Sequence, residues 1–145
     1  MRLSGPRAVE VLRAFVQTDG AGAWEERAVR HGRVVAADGT TVDDVLAWFA
    51  RGPRTYTGEN TAELTGHGGA YVTARVLAAL LAAGARLAEP GEFTRRAFLN
   101  GRLDLTEAEA VADLIAASTD GALRIARAHL AGGLSEKIRA WRDDV

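Results

Sequence analysis

Chemistry in a short chain rests on a few side chains at workable spacing, and the histidine of Gly66-His67-Gly68-Gly69 comes first. Its glycines let a backbone or ligand approach closely. The run also joins a strand-like segment to a helical one, where backbone N–H groups point outward. On spacing alone such a histidine is more often packed into a turn than used in chemistry. Glu59 and Glu63 stand four apart and flank a change from loop to strand. In a strand they need not share a face, so a paired-carboxylate acid–base mechanism has little support. Glu63, followed by Leu64, is the better candidate for a buried, ligand-binding carboxylate, beside the commoner role of an exposed strand residue. The densest charge runs from Glu92 to Asp104 and includes Arg95, Arg96 and Arg102. Arginine can fork onto a carboxylate or phosphate there. As a bare pattern, though, it reads as a solvated helix face with ion pairs worth under ~1 kcal/mol each. His31 and His129 read as surface residues.

Several chemistries are excluded. There is no Gly-x-x-x-x-Gly-Lys-Ser/Thr run, so the chain has no phosphate loop for GTP or ATP. No serine sits in a nucleophile elbow and no histidine pair has metal-ligand spacing, so neither a catalytic set nor a metal set emerges. Cysteine is absent, which removes disulfides, zinc–cysteine sites and thiol nucleophiles and agrees with a cytoplasmic protein. With 18 basic and 19 acidic residues the net charge is −1, which argues against a bulk phosphate-neutralising surface. Arg124, Arg127, Lys137, Arg139 and Arg142 are interleaved with Glu136, Asp143 and Asp144 and read as a solvated helix face. The longest apolar stretch, Val76 to Ala85, falls short of the ~20 residues of a membrane span, and the N-terminus lacks a signal-peptide core. With 48% hydrophobic residues over 145 positions, the chain has the means to fold around a core.

The elements that must position these residues follow from periodicity. Ser4-Gly5-Pro6 reads as a helix start, with Val9, Leu12 and Val16 at helical spacing. His31–Ala36 and Thr41–Phe49 read as strands around an Asp38-Gly39 turn, although Val42, Val45 and Trp48 do not alternate cleanly. A polar loop, Arg51 to Asn60, precedes a short strand at Ala62–Thr65. A helix from Ala70 carries Val72, Val76, Leu77, Leu80 and Leu81, with Gly84 at its C′ position. Arg86–Ala88 is a possible short strand and Glu92–Leu99 a brief helix. Thr106 with Glu109 reads as a capping box. After Ser118–Gly121 an apolar stripe at Leu123, Ala126, Leu130, Leu134, Ile138 and Trp141 predicts a last helix, weakened by Gly132-Gly133. The order is α+β first, then all-α.

These segments together resemble a known family. Pro90-Gly91-Glu92-Phe93-Thr94, then Arg96-Ala97-Phe98-Leu99-Asn100-Gly101, then Leu103-Asp104-Leu105-Thr106-Glu107-Ala108-Glu109-Ala110-Val111-Ala112-Asp113-Leu114-Ile115 is similar to the signature of the MnmE (TrmE) tRNA-modification GTPases. Arg2-Leu3-Ser4-Gly5, Tyr56-Thr57-Gly58-Glu59, and Glu63-Leu64 with His67-Gly68-Gly69 match in the family's order. The likeness covers essentially the whole chain.

The resemblance implies an α+β fold with a small mixed β-sheet, like the folate-binding domain of aminomethyltransferases, followed by helices of a truncated helical domain. Residues 1–103 would be the tetrahydrofolate-binding and dimerisation domain and 104–145 the start of the helical domain. The implied ligand is 5-formyl-tetrahydrofolate or a related tetrahydrofolate, and the implied contacts are Arg2, Glu63 and Arg102. Implied partners are a second copy in a homodimer, the flavoprotein MnmG (GidA) and tRNA. GTP, Mg and K belong to the full-length protein, which modifies C5 of the wobble uridine with an aminomethyl-type group. In the family a strand precedes the Arg-Leu-Ser-Gly segment, whereas here Met1 stands directly before Arg2. The expectation is therefore a fragment without that first strand and without GTPase activity of its own. The alternative is a structural dimerisation module that does not bind folate.

Overall fold

The computed structural model describes residues 1–20 and 22–133. The chain divides into two compact units, Met1–Glu89 and Pro90–Val145. The first holds β1 (Arg2–Ser4), α1 (Ala8–Phe15), β2 (Val16–Thr18), β3 (Arg30–Val35), β4 (Thr41–Ala50), β5 (Thr61–Thr65) and α2 (Ala70–Ala82). Its strands make one five-stranded sheet in the order β1-β5-β4-β3-β2. Every pairing is antiparallel, so the α+β class holds while the expected mixed sheet does not.

The period-2 rule explains how the sheet is covered. Along β4, Val45, Ala47 and Phe49 are buried, whereas Leu46 and Trp48 lie on the opposite face. Ala62 and Leu64 of β5 and Val34 of β3 join the same buried set. Two helices close it: α1 with Ala8, Val9, Val11, Leu12 and Phe15, and α2 with Val76 and Leu80. Both helices of this unit thus pack on one face of the sheet. Phe49 is 1% exposed and meets the edge of Trp24, with ring centroids 5.8 Å apart. The clean alternation at 45, 47 and 49 includes a small alanine, and counting Val42 and Trp48 instead mixes the two faces.

Three local expectations are corrected. Ser4 does not cap a helix: Arg2–Ser4 is an edge strand, and α1 begins four residues later, after N-cap Arg7. Val16 ends α1 and opens β2, opposite Val34, where a β-branched residue fits the pleat. Arg86–Ala88 forms no strand, and Leu87 there is 67% exposed. Gly39 and Gly84 carry the positive φ values, 81° and 95°, expected of a hairpin turn and a C′ residue.

The β3–β4 turn is held by Asp38, whose Oδ1 accepts from the Thr40 hydroxyl (2.6 Å) and the Thr40 N–H (3.0 Å). The hydroxyl first, and then the backbone donor, holds the Asp38 carboxyl below the ordinary aspartate value. Thr40→Val should therefore raise the Asp38 pKa. Carboxyl-detected NMR titration checks this, and an unmoved Asp38 would remove the hydroxyl from the turn.

The second unit holds α3 (Glu92–Leu99), α4 (Leu105–Ala116) and α5 (Asp120–Leu130). Glu92, expected on a solvated face, is 8% exposed and accepts from Arg96 Nε at 3.0 Å, one turn on. The capping box of α4 lies two residues earlier than expected. Asp104 accepts from Glu107 N–H (2.9 Å) and Glu107 accepts from Asp104 N–H (2.8 Å), while the Thr106 hydroxyl donates to Asp104. The Asp-x-x-Glu spacing serves as well as Thr-x-x-Glu, and its carboxylate is the stronger acceptor. Thr119 caps α5 through Ala122 N–H. The rest of the predicted stripe, Leu134, Ile138 and Trp141, lies outside the described residues. No described helix is long and apolar enough to cross a membrane.

Candidate functional site

The sheet face turned away from α1 and α2 carries the site. Register places Arg2 opposite Glu63 and Glu63 opposite Trp48, so three strands bring one guanidinium, one carboxylate and one indole into a single row. Arg2 Nε donates to Glu63 Oε1 at 2.5 Å, with the side chains 45% and 27% exposed. The Arg2 guanidinium also stands 5.7 Å from the ring centroid of Tyr56. The strand reading of Glu63 thus holds, but the carboxylate is partly exposed, not buried, because it faces away from the helices; the edge strand β1 delivers Arg2 to it.

A hydroxyl network ties β1 to the polar loop beside this row. Ser4 Oγ donates to Glu59 Oε2 (2.8 Å) and lies 2.6 Å from Thr57 Oγ1, which is fully buried. Thr55 Oγ1 donates to the Glu59 carbonyl (2.6 Å). Asn60 accepts Gly5 N–H through its carbonyl and donates its side-chain amide to Pro6 O. Tyr56-Thr57-Gly58-Glu59 is therefore the segment that fixes the entry of β1. Glu59, in the loop, serves Ser4, and Glu63, on β5, serves Arg2.

His67 is set in the turn between β5 and α2. Its side chain is 76% exposed, and its Nδ1 lies 2.7 Å from Asp43 Oδ1. Asp43 Oδ2 accepts His67 N–H at 2.9 Å, and the Asp43 side chain is only 7% exposed. Gly66 is required by close approach: a Cβ there would run into the Asp43 carboxylate and meet Val45 Cγ1 at 2.9 Å. His67 is thus a turn residue pinned by a carboxylate. His31 is similarly exposed, with Nδ1 2.5 Å from Asp19 Oδ2.

Asp43 and Trp48 are not among the residues that type and spacing single out. Both lie on β4, and correct parity along that strand would have placed Trp48 on the face of Glu63. The Asp43–His67 contact spans 24 positions and has no local signal.

Arg102 belongs to the second unit, in the turn after α3, where its N–H donates to the Ala97 carbonyl (2.8 Å). The structure brings Arg2 and Glu63 into contact within the first unit. Among the described residues no group of His, Asp and Glu is placed to hold a metal ion.

The row offers a carboxylate, a cation and an indole to a planar polar ligand. A carboxylate offers about four acceptor sites, so the bond from Arg2 leaves Glu63 capacity for the N–H edge of a pterin. The neighbouring indole of Trp48 lies on the same face, and the Arg2 guanidinium keeps N–H donors for an oxygen acceptor.

Residues 1–102 match the family model described as GTP-binding protein TrmE N-terminus. The chain belongs to this family. It is 50% identical over 143 residues to the tRNA modification GTPase MnmE of Roseiflexus sp. (strain RS-1), covering 99% of this chain and 31% of that relative. It is 51% identical over 146 residues to the MnmE of Symbiobacterium thermophilum, covering 99% of this chain and 32% of that protein. The MnmE of Synechococcus sp. (strain RCC307) is 47% identical over 146 residues, covering 100% and 32%. The chain spans about a third of the length of these curated relatives.

Proposed function

We propose that this chain is the tetrahydrofolate-binding and dimerising part of an MnmE-type tRNA-modification GTPase, working in the cytoplasm. It would present a one-carbon donor, 5-formyl-tetrahydrofolate or a relative, for aminomethyl-type modification at C5 of the tRNA wobble uridine. The partners would be a second copy of the chain and the flavoprotein MnmG. The observation that carries the reading is the Arg2–Glu63–Trp48 row on the sheet face opposite both helices of the first unit. Glu63 would accept the pterin N–H groups, as charge-assisted bonds worth roughly 1.5–3 kcal/mol. Arg2 would meet polar oxygens of the ligand. GTP turnover, with Mg and K, is assigned to sequence of the kind the relatives carry beyond the matched third, since the chain holds no phosphate loop.

A thermal melt with and without 5-formyl-tetrahydrofolate tests the reading, because a ligand that binds only the folded state raises Tm by mass action. The expected result is a rise that grows with ligand concentration. A folded dimer whose Tm ignores the folate would replace the reading with that of a structural dimerisation module.

A further inference from the structure

Positive charge gathers at one end of the first unit, where β4 finishes and the loop before β3 meets it. Arg13 lies over the Phe49 ring, its guanidinium carbon 4.9 Å from the centroid, and its Nη2 donates to the Trp24 carbonyl (3.3 Å). Arg51 stands 5.7 Å from the same ring. Arg30 donates to the carbonyls of Gly22 (3.2 Å) and Ala23 (2.6 Å), and Arg27 donates to that of Arg54 (2.7 Å). Carbonyls and ring faces fix these guanidinium groups without neutralising them. Among the described residues Glu26 is the carboxylate that pairs with the set, and it is shared between Arg27 (3.8 Å) and Arg51 (3.9 Å). Glu10, one turn before Arg13, and Glu25 raise the acids to three, against five arginines. Arg27 also holds φ at 65°, which non-glycine residues seldom adopt, with its N–H bonded to the Phe49 carbonyl (2.8 Å). Such a backbone persists where its surroundings impose it, and it clusters at binding sites.

We propose that Arg13, Arg27, Arg30, Arg51 and Arg54 form a docking surface for the phosphodiester backbone of RNA. This rests on the tRNA reading above and gives the RNA a place on this chain. The charges are carried by α1, the loop, β3 and the segment after β4, a spread that suits an extended polyanion more than a single anion. The planar guanidinium forks onto phosphate oxygens. Contacts of this kind position a nucleic acid without reading its sequence. Arg30 pairs in register with the buried Ala47, so it leaves the sheet on the side of α1, away from the Glu63 row.

The test is fluorescence anisotropy of a labelled, unmodified tRNA transcript titrated with the intact chain at several salt concentrations. Wild type is compared with Arg51→Gln/Arg54→Gln and with Arg33→Gln, an exposed arginine on β3 outside the surface. The double variant should bind RNA at least about fivefold more weakly, and the slope of log affinity against log salt should fall by about two. Arg33→Gln should match wild type. Should the double variant fail to fold, Arg54→Gln serves alone, since that side chain has no partner among the described residues; it should lose about twofold or more in affinity and about one in slope. Affinity and slope unmoved in the folded variants, or lowered equally by Arg33→Gln, would overturn the surface. So would poly-L-glutamate that competes as well as unlabelled tRNA, which would assign the arginines to an acidic protein partner. Folate binding by the same proteins separates this proposal from the reading beneath it. A chain that binds 5-formyl-tetrahydrofolate but no RNA overturns the surface alone, and one that binds RNA through these arginines but ignores the folate overturns the folate reading alone. Binding of neither overturns both.

Discussion

Phe49→Ala is expected to lower the stability of the first unit by about 3–5 kcal/mol, the range for truncating a buried aromatic ring. Phe49 is 1% exposed and sits in β4, the strand that pairs with both β3 and β5. Its loss leaves a cavity beneath Trp24, removes an edge-to-face contact worth ~0.5–1.5 kcal/mol, and strips the ring from under the Arg13 and Arg51 guanidinium carbons at 4.9 and 5.7 Å. A denaturant titration followed by tryptophan fluorescence measures the effect, since Trp24 lies against the ring. A loss below ~1 kcal/mol would mean that the core described around β4 is not the one that holds the sheet together.

Glu63→Gln has the largest expected effect on function. The amide keeps the size of the side chain and one acceptor oxygen, but it loses the charge and places an N–H₂ where the pterin donors would arrive. At roughly 1.5–3 kcal/mol for bonds to a charged group, the folate affinity should fall by a factor of about ten or more. Stability should change little, because the ion pair with Arg2 is open to solvent, its side chains 45% and 27% exposed. Unchanged affinity would take Glu63 out of the site.

Much of this was legible in the residues. The apolar patterns of β3, β5, α2 and α3 are local, and so are the turns at Asp38-Gly39 and Gly84, which is why the expected elements appear within a residue or two. Arg2–Ser4 departs from expectation because a serine before Gly-Pro offers a strong capping signal. The competing partners, Thr57 and Glu59, are more than fifty positions away and leave no mark on the local pattern. Glu92 departs from it for a related reason. A carboxylate one turn before Arg96 looks like any surface pair, and sequence spacing does not reveal its burial. The site shows the same division. Resemblance points to Arg2, Glu63 and Arg102, and the register supplies what resemblance cannot, namely the direct contact of the first two and Trp48 as the third member of the row.

The central claim is that the face carrying Glu63 binds a reduced folate, and calorimetric titration of 5-formyl-tetrahydrofolate into wild type and Glu63→Gln, side by side, tests it most directly. The account predicts saturable, micromolar-range binding by wild type and affinity at least about tenfold lower in the variant. Absence of binding heat from a folded wild-type chain across several temperatures, or equal affinity in the two proteins, would contradict it.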